Sequence, residues 1–400
     1  MDRKIRIAVA GCGSIFYNFH KPVIEAFCED VEIVGVADKF MATAEKTAKV
    51  YNVPAFDDVE KMLNTVKDID ILYILTYFAN HHNIAQAAIE RKINFFVEKP
   101  FAITLKACDD IINNAQKAGV KFQVGENFPF TPNDIVFYKI INEGLIGDVE
   151  KVWLMDPVNP FALATGIHRV CQMRLCVDSP VSKVKAMTFD AHIPHSEIPS
   201  DLVETVEAQR AGDPISDKTM HAMVKFKNGV RGTFMGAPVW PWLDTKESNI
   251  VRCRQVEGTR GIVSDNLWPF NLPNVLKDSN VYLDLRIDGK KQTIPVTRKT
   301  RIENGKEVVE QIVVETSTPL VWDNPFRDKA LNDNEMSGAY ELMSIVNAVR
   351  NGTEPCYNKE ARIDLELYFA MIESDHLEAQ EVDLPLKGAT AWEKKLKEYE

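Results

Sequence analysis

Ile5-Arg6-Ile7-Ala8-Val9-Ala10-Gly11-Cys12-Gly13-Ser14-Ile15-Phe16 is the stretch whose reading decides the fold. Its first half is rich in β-branched residues and reads as a strand. A Gly-x-Gly turn follows, then a helical pattern through Val23, Ile24 and Phe27. Strand, glycine turn and helix form the dinucleotide-binding arrangement. The first glycine makes the tight turn, and the second lets the backbone approach a pyrophosphate at the helix N-terminus. Phe16 stands where a third glycine would, so the loop alone is also compatible with an ordinary βα turn. The next apolar run, Val31–Ala37, ends in Asp38, roughly 20 residues beyond the loop, where this fold places its ribose-binding acid. An Asp there accepts from the adenosine hydroxyls and repels a 2′-phosphate, which favours NAD. Lys39 beside it could pair with that phosphate and leaves NADP open.

Working outward, strands and helices alternate. Helical patterns cover 42–51, 59–65, 84–91 and 105–118, and strand patterns cover 69–76 and 121–125. Between them lies Ile93-Asn94-Phe95-Phe96-Val97-Glu98-Lys99-Pro100, an apolar strand running into a Glu-Lys pair and stopped by a proline. Pro cannot donate to a sheet ladder, so the strand ends there. In open α/β sheets the carboxyl ends of the strands face the ligand crevice. Lys99 is then either a functional group or half of an ion pair closing the strand. Gly11, Asp38, Thr76 and Lys99 all end strands and should line one edge of the sheet.

The chain has 400 residues, which makes two domains the default. Its net charge is -11 and it has no long Lys/Arg run, which argues against a nucleic-acid partner. No stretch reaches the ~18 apolar residues of a membrane span. The apolar run 5–9 is too short for a signal-peptide core. The seven cysteines are scattered, with no Cys-x-x-Cys pair, which argues against zinc or a disulfide framework and fits a cytoplasmic location.

With these residues in view, the chain resembles the glucose–fructose oxidoreductase / inositol dehydrogenase / MocA (Gfo/Idh/MocA) family. The matches are Gly11-Cys12-Gly13, His20-Lys21-Pro22, Asp38, Thr76 with His81, Glu98-Lys99-Pro100 and Val124-Gly125-Glu126-Asn127. Further on they are 143–149, 256–261 and 345–352 with Glu354-Pro355. The resemblance implies an α/β fold: a Rossmann domain over 1–127, then an α+β domain over 128–400 with a large open, mostly antiparallel sheet. That sheet often forms the oligomer interface, so a homodimer or homotetramer is expected. The resemblance also implies a cofactor-binding set of Gly11, Gly13, Ser14, Ile15, Asp38, Lys39, Thr76, His81, Glu98, Lys99 and Asn127. Lys99 inherits the role of holding the reacting hydroxyl. A cation there stabilises developing alkoxide charge.

In the second half the family shows Asp-x-Gly-x-His opening a helix. Here the stretch is Ala164-Thr165-Gly166-Ile167-His168, so the carboxylate is missing. His168 can still serve as general base, since imidazole titrates near neutrality. Arg169, Gln172 and Arg174 are either substrate contacts or solvated helix residues. With Lys99, Asn127 and His168, Arg169 completes the expected substrate set. Strands are expected at 151–155, 181–191, 221–226, 232–235, 249–256 and 281–287, with Asn228-Gly229 as a hairpin turn. Residues 194–212 read as an inserted loop with a short acidic helix, and 265–335 as long wrapping loops. Helices are expected at 337–350 and 362–376, at least one packing back on the first domain. His192 and His195 lack partners for a tetrahedral set, so no metal is expected. Trp240 and Trp242 suit a sugar face, an interface or a core.

The expected function is NAD-dependent oxidation of a secondary hydroxyl on a sugar, glycoside or inositol, with a glycoside 3-dehydrogenase as the preferred version. The alternatives are a redox-assisted glycoside hydrolase and a non-catalytic NAD-binding sensor or partner subunit.

Overall fold

The computed structural model describes residues 3–156, 163–190, 218–236, 254–265 and 281–396. They divide into two compact units. The first comprises Met1–Pro132, Thr300–Glu310 and Asn324–Ile363, and the second comprises Asn133–Lys299, Gln311–Asp323 and Asp364–Glu400. In chain order the helices used below are α1 (Lys21–Ala26), α2 (Met41–Tyr51), α3 (Val59–Thr65), α4 (His81–Glu90), α5 (Leu105–Ala118), α6 (Pro132–Asn142), α7 (Leu163–Leu175) and α8 (Asp333–Asn351).

The first unit is built on β1 (Ile5–Ala10), β2 (Val31–Ala37), β3 (Ala55–Phe56), β4 (Ile71–Ile74), β5 (Asn94–Glu98) and β6 (Phe122–Gly125). They form one sheet in the order β3-β2-β1-β4-β5-β6, with every pair parallel. Ile7, Val9, Leu72, Phe95 and Val97 are fully buried, as expected of strands covered on both faces. The strand order reverses between β1 and β4, and such a reversal opens the ligand crevice. Gly11 sits at that point with a φ of 97°. A Cβ there would lie 2.6 Å from the Leu75 carbonyl oxygen, so only glycine fits. Beyond Gly11 the chain makes a π-helical turn, Phe16–His20, that runs into α1.

α8 also belongs to the first unit. Its start is fixed by a capping box: the Asn332 side chain accepts from Glu335 N, and Glu335 Oε2 accepts from Asn332 N. It packs closely on the first helix. A Cβ on Gly338 would come 3.0 Å from the Phe19 ring and 3.1 Å from Val23.

The second unit holds β7 (Val149–Asp156), β8 (Val181–Asp190), β9 (Lys218–Phe226), β10 (Arg231–Gly236), β11 (Arg254–Gly258), β12 (Gly261–Asp265), β13 (Val281–Ile287) and β14 (Lys290–Ile294). Further along the chain come β15 (Val296–Glu303) and β16 (Lys306–Val314), each partly in the first unit, then β17 (Leu320–Asp323) and β18 (Val382–Asp383). Nine of them make an open sheet in the order β14-β13-β12-β11-β7-β10-β9-β8-β18. Only the β7–β10 pair is parallel among the described pairings of that sheet. Asn228-Gly229 forms the tip of the β9–β10 hairpin, with Val230 N donating to the Asn228 side chain.

Residues 265–335 correct the sequence reading. Among the described residues, 281–335 are not mainly long loops: β13 to β17 lie there, and β15, β16 and β17 form a three-stranded sheet. The physical reason is charge. β15 reads Val-Thr-Arg-Lys-Thr-Arg-Ile-Glu, and Lys and Glu are poor strand formers that mask the alternation. The strand expected over 249–256 is described only from Arg254. The region 194–212, His192, His195, Trp240 and Trp242 lie outside the described residues.

Candidate active site

The carboxyl edge of the first sheet brings the Gly11 loop and the β4 and β5 ends to one side. Gly13, Ser14 and Ile15 are exposed, and a Cβ on Gly13 would meet nothing within 4 Å. An open glycine lip at the start of a helix suits a pyrophosphate. Asp38 is fixed against this loop: its Oδ2 accepts from Cys12 N at 2.9 Å and its Oδ1 from Phe40 N at 3.0 Å. Lys39 is exposed and lies over the Phe40 ring. This loop, acid and open lip fit an NAD adenosine and pyrophosphate.

His81, expected at the cofactor, is a buried tie between strand ends. Its Nδ1 lies 2.9 Å from the Pro100 carbonyl oxygen and its Nε2 3.1 Å from that of Thr76. Burial pushes its imidazole below the ordinary value. It thereby holds Thr76 beside the turn that carries Lys99.

Glu98 is buried at the end of β5, and Lys99 next to it is half-buried. His20 Nε2 donates to Glu98 Oε1 at 2.8 Å, and Glu98 Oε2 accepts from Lys99 N at 3.1 Å. The His20 ring sits edge-on to Phe19, Tyr73 and Phe96. Burial alone would raise the Glu98 carboxyl, but the bond and charge of His20, then the charge of Lys99, hold it below its usual value. The acid is therefore an ionised brace for the Lys99 backbone. Asn127 follows β6 and is buried, donating from Nδ2 to Ser337 Oγ of α8 at 3.0 Å.

The sequence reading missed Glu341 of α8. It is 1% exposed, and neither carboxyl oxygen has a hydrogen-bond partner among the described residues. Burial first, then Glu98 and Glu126, push this carboxyl well above the ordinary range, while Lys99 opposes them. One signal was available. Gly338, Glu341, Leu342 and Ile345 share a helical face, so a glutamate stands in an apolar stripe.

In the second unit, His168 and Arg169 are both buried on α7. Arg169 is not a solvated helix residue: its Nη1 donates to Gln172 Oε1 at 2.8 Å, and Gln172 Nε2 donates to Asp134 Oδ1 at 3.1 Å. Asp134 in turn meets Arg254 at 2.8 Å, and Arg254 meets Asp265 at 2.5 Å. Arg174 pairs with Asp364. The polar side of α7 is thus bonded within the protein, and this network fixes the helix that carries His168.

A parallel six-stranded sheet with a glycine loop at its switch point and an acid at the second strand defines an NAD-binding Rossmann domain. Residues 5–126 match the family model described as Oxidoreductase family, NAD-binding Rossmann fold (GFO_IDH_MocA). Through this domain the chain is similar to the Gfo/Idh/MocA oxidoreductases. It is 30% identical over 163 residues to an inositol 2-dehydrogenase of Rhizobium meliloti, covering 39% of this chain and 47% of that one. It is 24% identical over 149 residues to a trans-1,2-dihydrobenzene-1,2-diol dehydrogenase of Danio rerio, covering 37% and 44%. The chain thus spans about half the length of the curated relatives it matches. The fold extends further. The WlbA dehydrogenase of Bordetella pertussis, solved with NADH and UDP-GlcNAcA, superposes with a TM-score of 0.65 at 17% identity, covering 96% of this chain and 100% of that one.

Proposed function

We propose that the protein oxidises a secondary hydroxyl of a sugar, glycoside or inositol to a ketone, with NAD as acceptor. The observation that carries this is the position of Lys99, directly after β5 on the sheet edge that also carries the Gly11 loop. NAD, when bound, supplies the hydride acceptor. Lys99 holds the substrate oxygen and stabilises its developing negative charge. Glu98, braced by His20, fixes the Lys99 backbone. His168 takes the hydroxyl proton. Asn127 contacts substrate, and Arg169 supports α7. Two relatives named as dehydrogenases of inositol and of a dihydrobenzenediol support a cyclic polyol substrate. A glycoside oxidised at its 3-position is the version we favour.

The test is a panel of inositols, sugars and glycosides, read by NADH absorbance. Release of free sugar from a glycoside without NADH accumulation would favour redox-assisted hydrolysis. Silence across the panel, with NAD still bound, would favour a sensor or partner subunit.

We further propose a homodimer or homotetramer formed through the nine-stranded sheet, in a cytoplasmic protein. Met187 and Phe189 of β8 and Met223 of β9 are 49%, 43% and 60% exposed on one face of that sheet. Apolar exposure of this kind suits a partner surface. A monomer by light scattering at micromolar concentration would overturn the assembly. No helix among the described residues is long and apolar enough to cross a membrane.

A further inference from the structure

The first unit holds a carboxyl group that the proposed reaction leaves unused. Glu341 is buried, and both its oxygens lack hydrogen-bond partners among the described residues. A buried carboxylate without partners is costly, and such a group escapes the cost by keeping its proton. It cannot swing into solvent, because α8 is pressed against the first helix at Gly338 and tied by Arg350 to Asp30. The groups facing it are Tyr73 of β4, Glu98 and Lys99 at the end of β5, Glu126 after β6, and Cys356 beyond α8. His20 already commits Glu98 to its ionised form. Glu98 and Glu126 oppose a further negative charge on Glu341 while Lys99 favours it, so adding a cation is the change that would let Glu341 ionise.

In this fold each half of the sheet takes one nucleotide. Asp38 marks the adenosine half, so the ends of β4, β5 and β6 serve the nicotinamide half. The oxidised ring carries a positive charge that the reduced ring lacks. We propose that Glu341 keeps its proton in the free protein and releases it when NAD+ binds, whereas NADH binding leaves it protonated. This rests on the NAD-dependent reading above. The only bond that breaks is the Glu341 O–H, and its proton passes to solvent. Once the positive charge has gone, Glu341 takes a proton back from solvent. Glu341 is thus a positioning residue for charge.

The test is nucleotide affinity against pH, by fluorescence titration from about pH 5 to about pH 9. In the parent, NAD+ should bind up to about tenfold more tightly per pH unit across the window in which one proton is released. NADH affinity should stay flat, and Glu341→Gln should remove the NAD+ slope. Glu98→Gln, which takes away a neighbouring anion, should move the slope to lower pH. Infrared spectra of the nucleotide-free protein give a second readout. A protonated carboxyl band present in the parent and absent in Glu341→Gln is expected, and identical spectra would overturn the proposal. A slope retained in Glu341→Gln, or shared by NAD+ and NADH, would overturn it too. Binding of both nucleotides without any slope sinks the linkage alone. Failure of either nucleotide to bind sinks the NAD reading together with it.

Discussion

In the second unit the fully buried Arg254 stands between Asp134 and Asp265 and lies 3.8 Å from the Phe137 ring. In the first, Glu98, Glu126 and Lys99 all act on the buried Glu341, whose oxygens have no hydrogen-bond partner among the described residues. Burial drives both clusters, with different outcomes. The two aspartates keep the Arg254 guanidinium charged, although burial pushes the Asp265 carboxyl up to about 6. That cluster joins α6, α7, β11 and β12 into one support. In the glutamate cluster Glu341 has no hydrogen-bond partner among the described residues, so on the proposal above its protonation follows a charge that arrives from outside. Where the fold needs stiffness, buried acids come with a cation. Where the proposed chemistry needs a charge to change, Glu341 stands without a hydrogen-bond partner among the described residues.

The largest expected effect breaks the stiff cluster. Arg254→Met leaves two buried acids without their cation and should cost ~3–5 kcal/mol of stability in urea unfolding. Adding Asp134→Asn and Asp265→Asn should restore part of that loss. A single variant as stable as the parent would mean that the cluster is not a support.

Glu341→Gln should act with the opposite sign and more weakly. A carboxyl whose proton affinity is raised by folding contributes stability at low pH and loses it as pH rises above its ordinary value of 4.5. Thermal melts should therefore show the variant gaining on the parent as pH increases. A constant offset at every pH would contradict a titrating Glu341.

The smallest effect concerns the acid side. Glu98 is held below its ordinary 4.5 and His81 below its ordinary 6.5, so the unfolded chain binds protons first. Their stabilisation is present above those values and is lost as pH falls through them towards the folded ones. Glu98→Gln should flatten the lower part of that loss, while the part nearer 6.5 remains. An unchanged acid limb would show that the His20 bond does not matter to stability.

Much of the first unit was legible because its signals are local. The Gly11 turn, the apolar runs of β1, β4 and β5, and the proline after Lys99 each declare an element through neighbouring residues. The mostly antiparallel second sheet was expected, and the Asn228-Gly229 hairpin announced two of its strands. The strands after Pro295 were hidden, because β15 spends Arg, Lys and Glu on positions where an apolar run would be sought. Asp38, Thr76 and Lys99 stand at strand ends, where the sequence put them, but it gave no sign of the partners around them. His20 lies 78 positions before Glu98, and Glu341 lies far beyond both. Nothing local marks such pairings. Arg169 and Gln172 gave no sign that Asp134, and Arg254 beyond it, would claim them.

Lys99 is the centre of the proposed chemistry. NADH formation should be followed with the best substrate of the polyol panel, for the parent and for Lys99→Ala, beside NAD binding by fluorescence. The prediction is a loss of ~100- to 1000-fold in turnover with NAD binding retained, since the Gly11 loop and Asp38 are untouched. Near-parental turnover in Lys99→Ala would contradict the account.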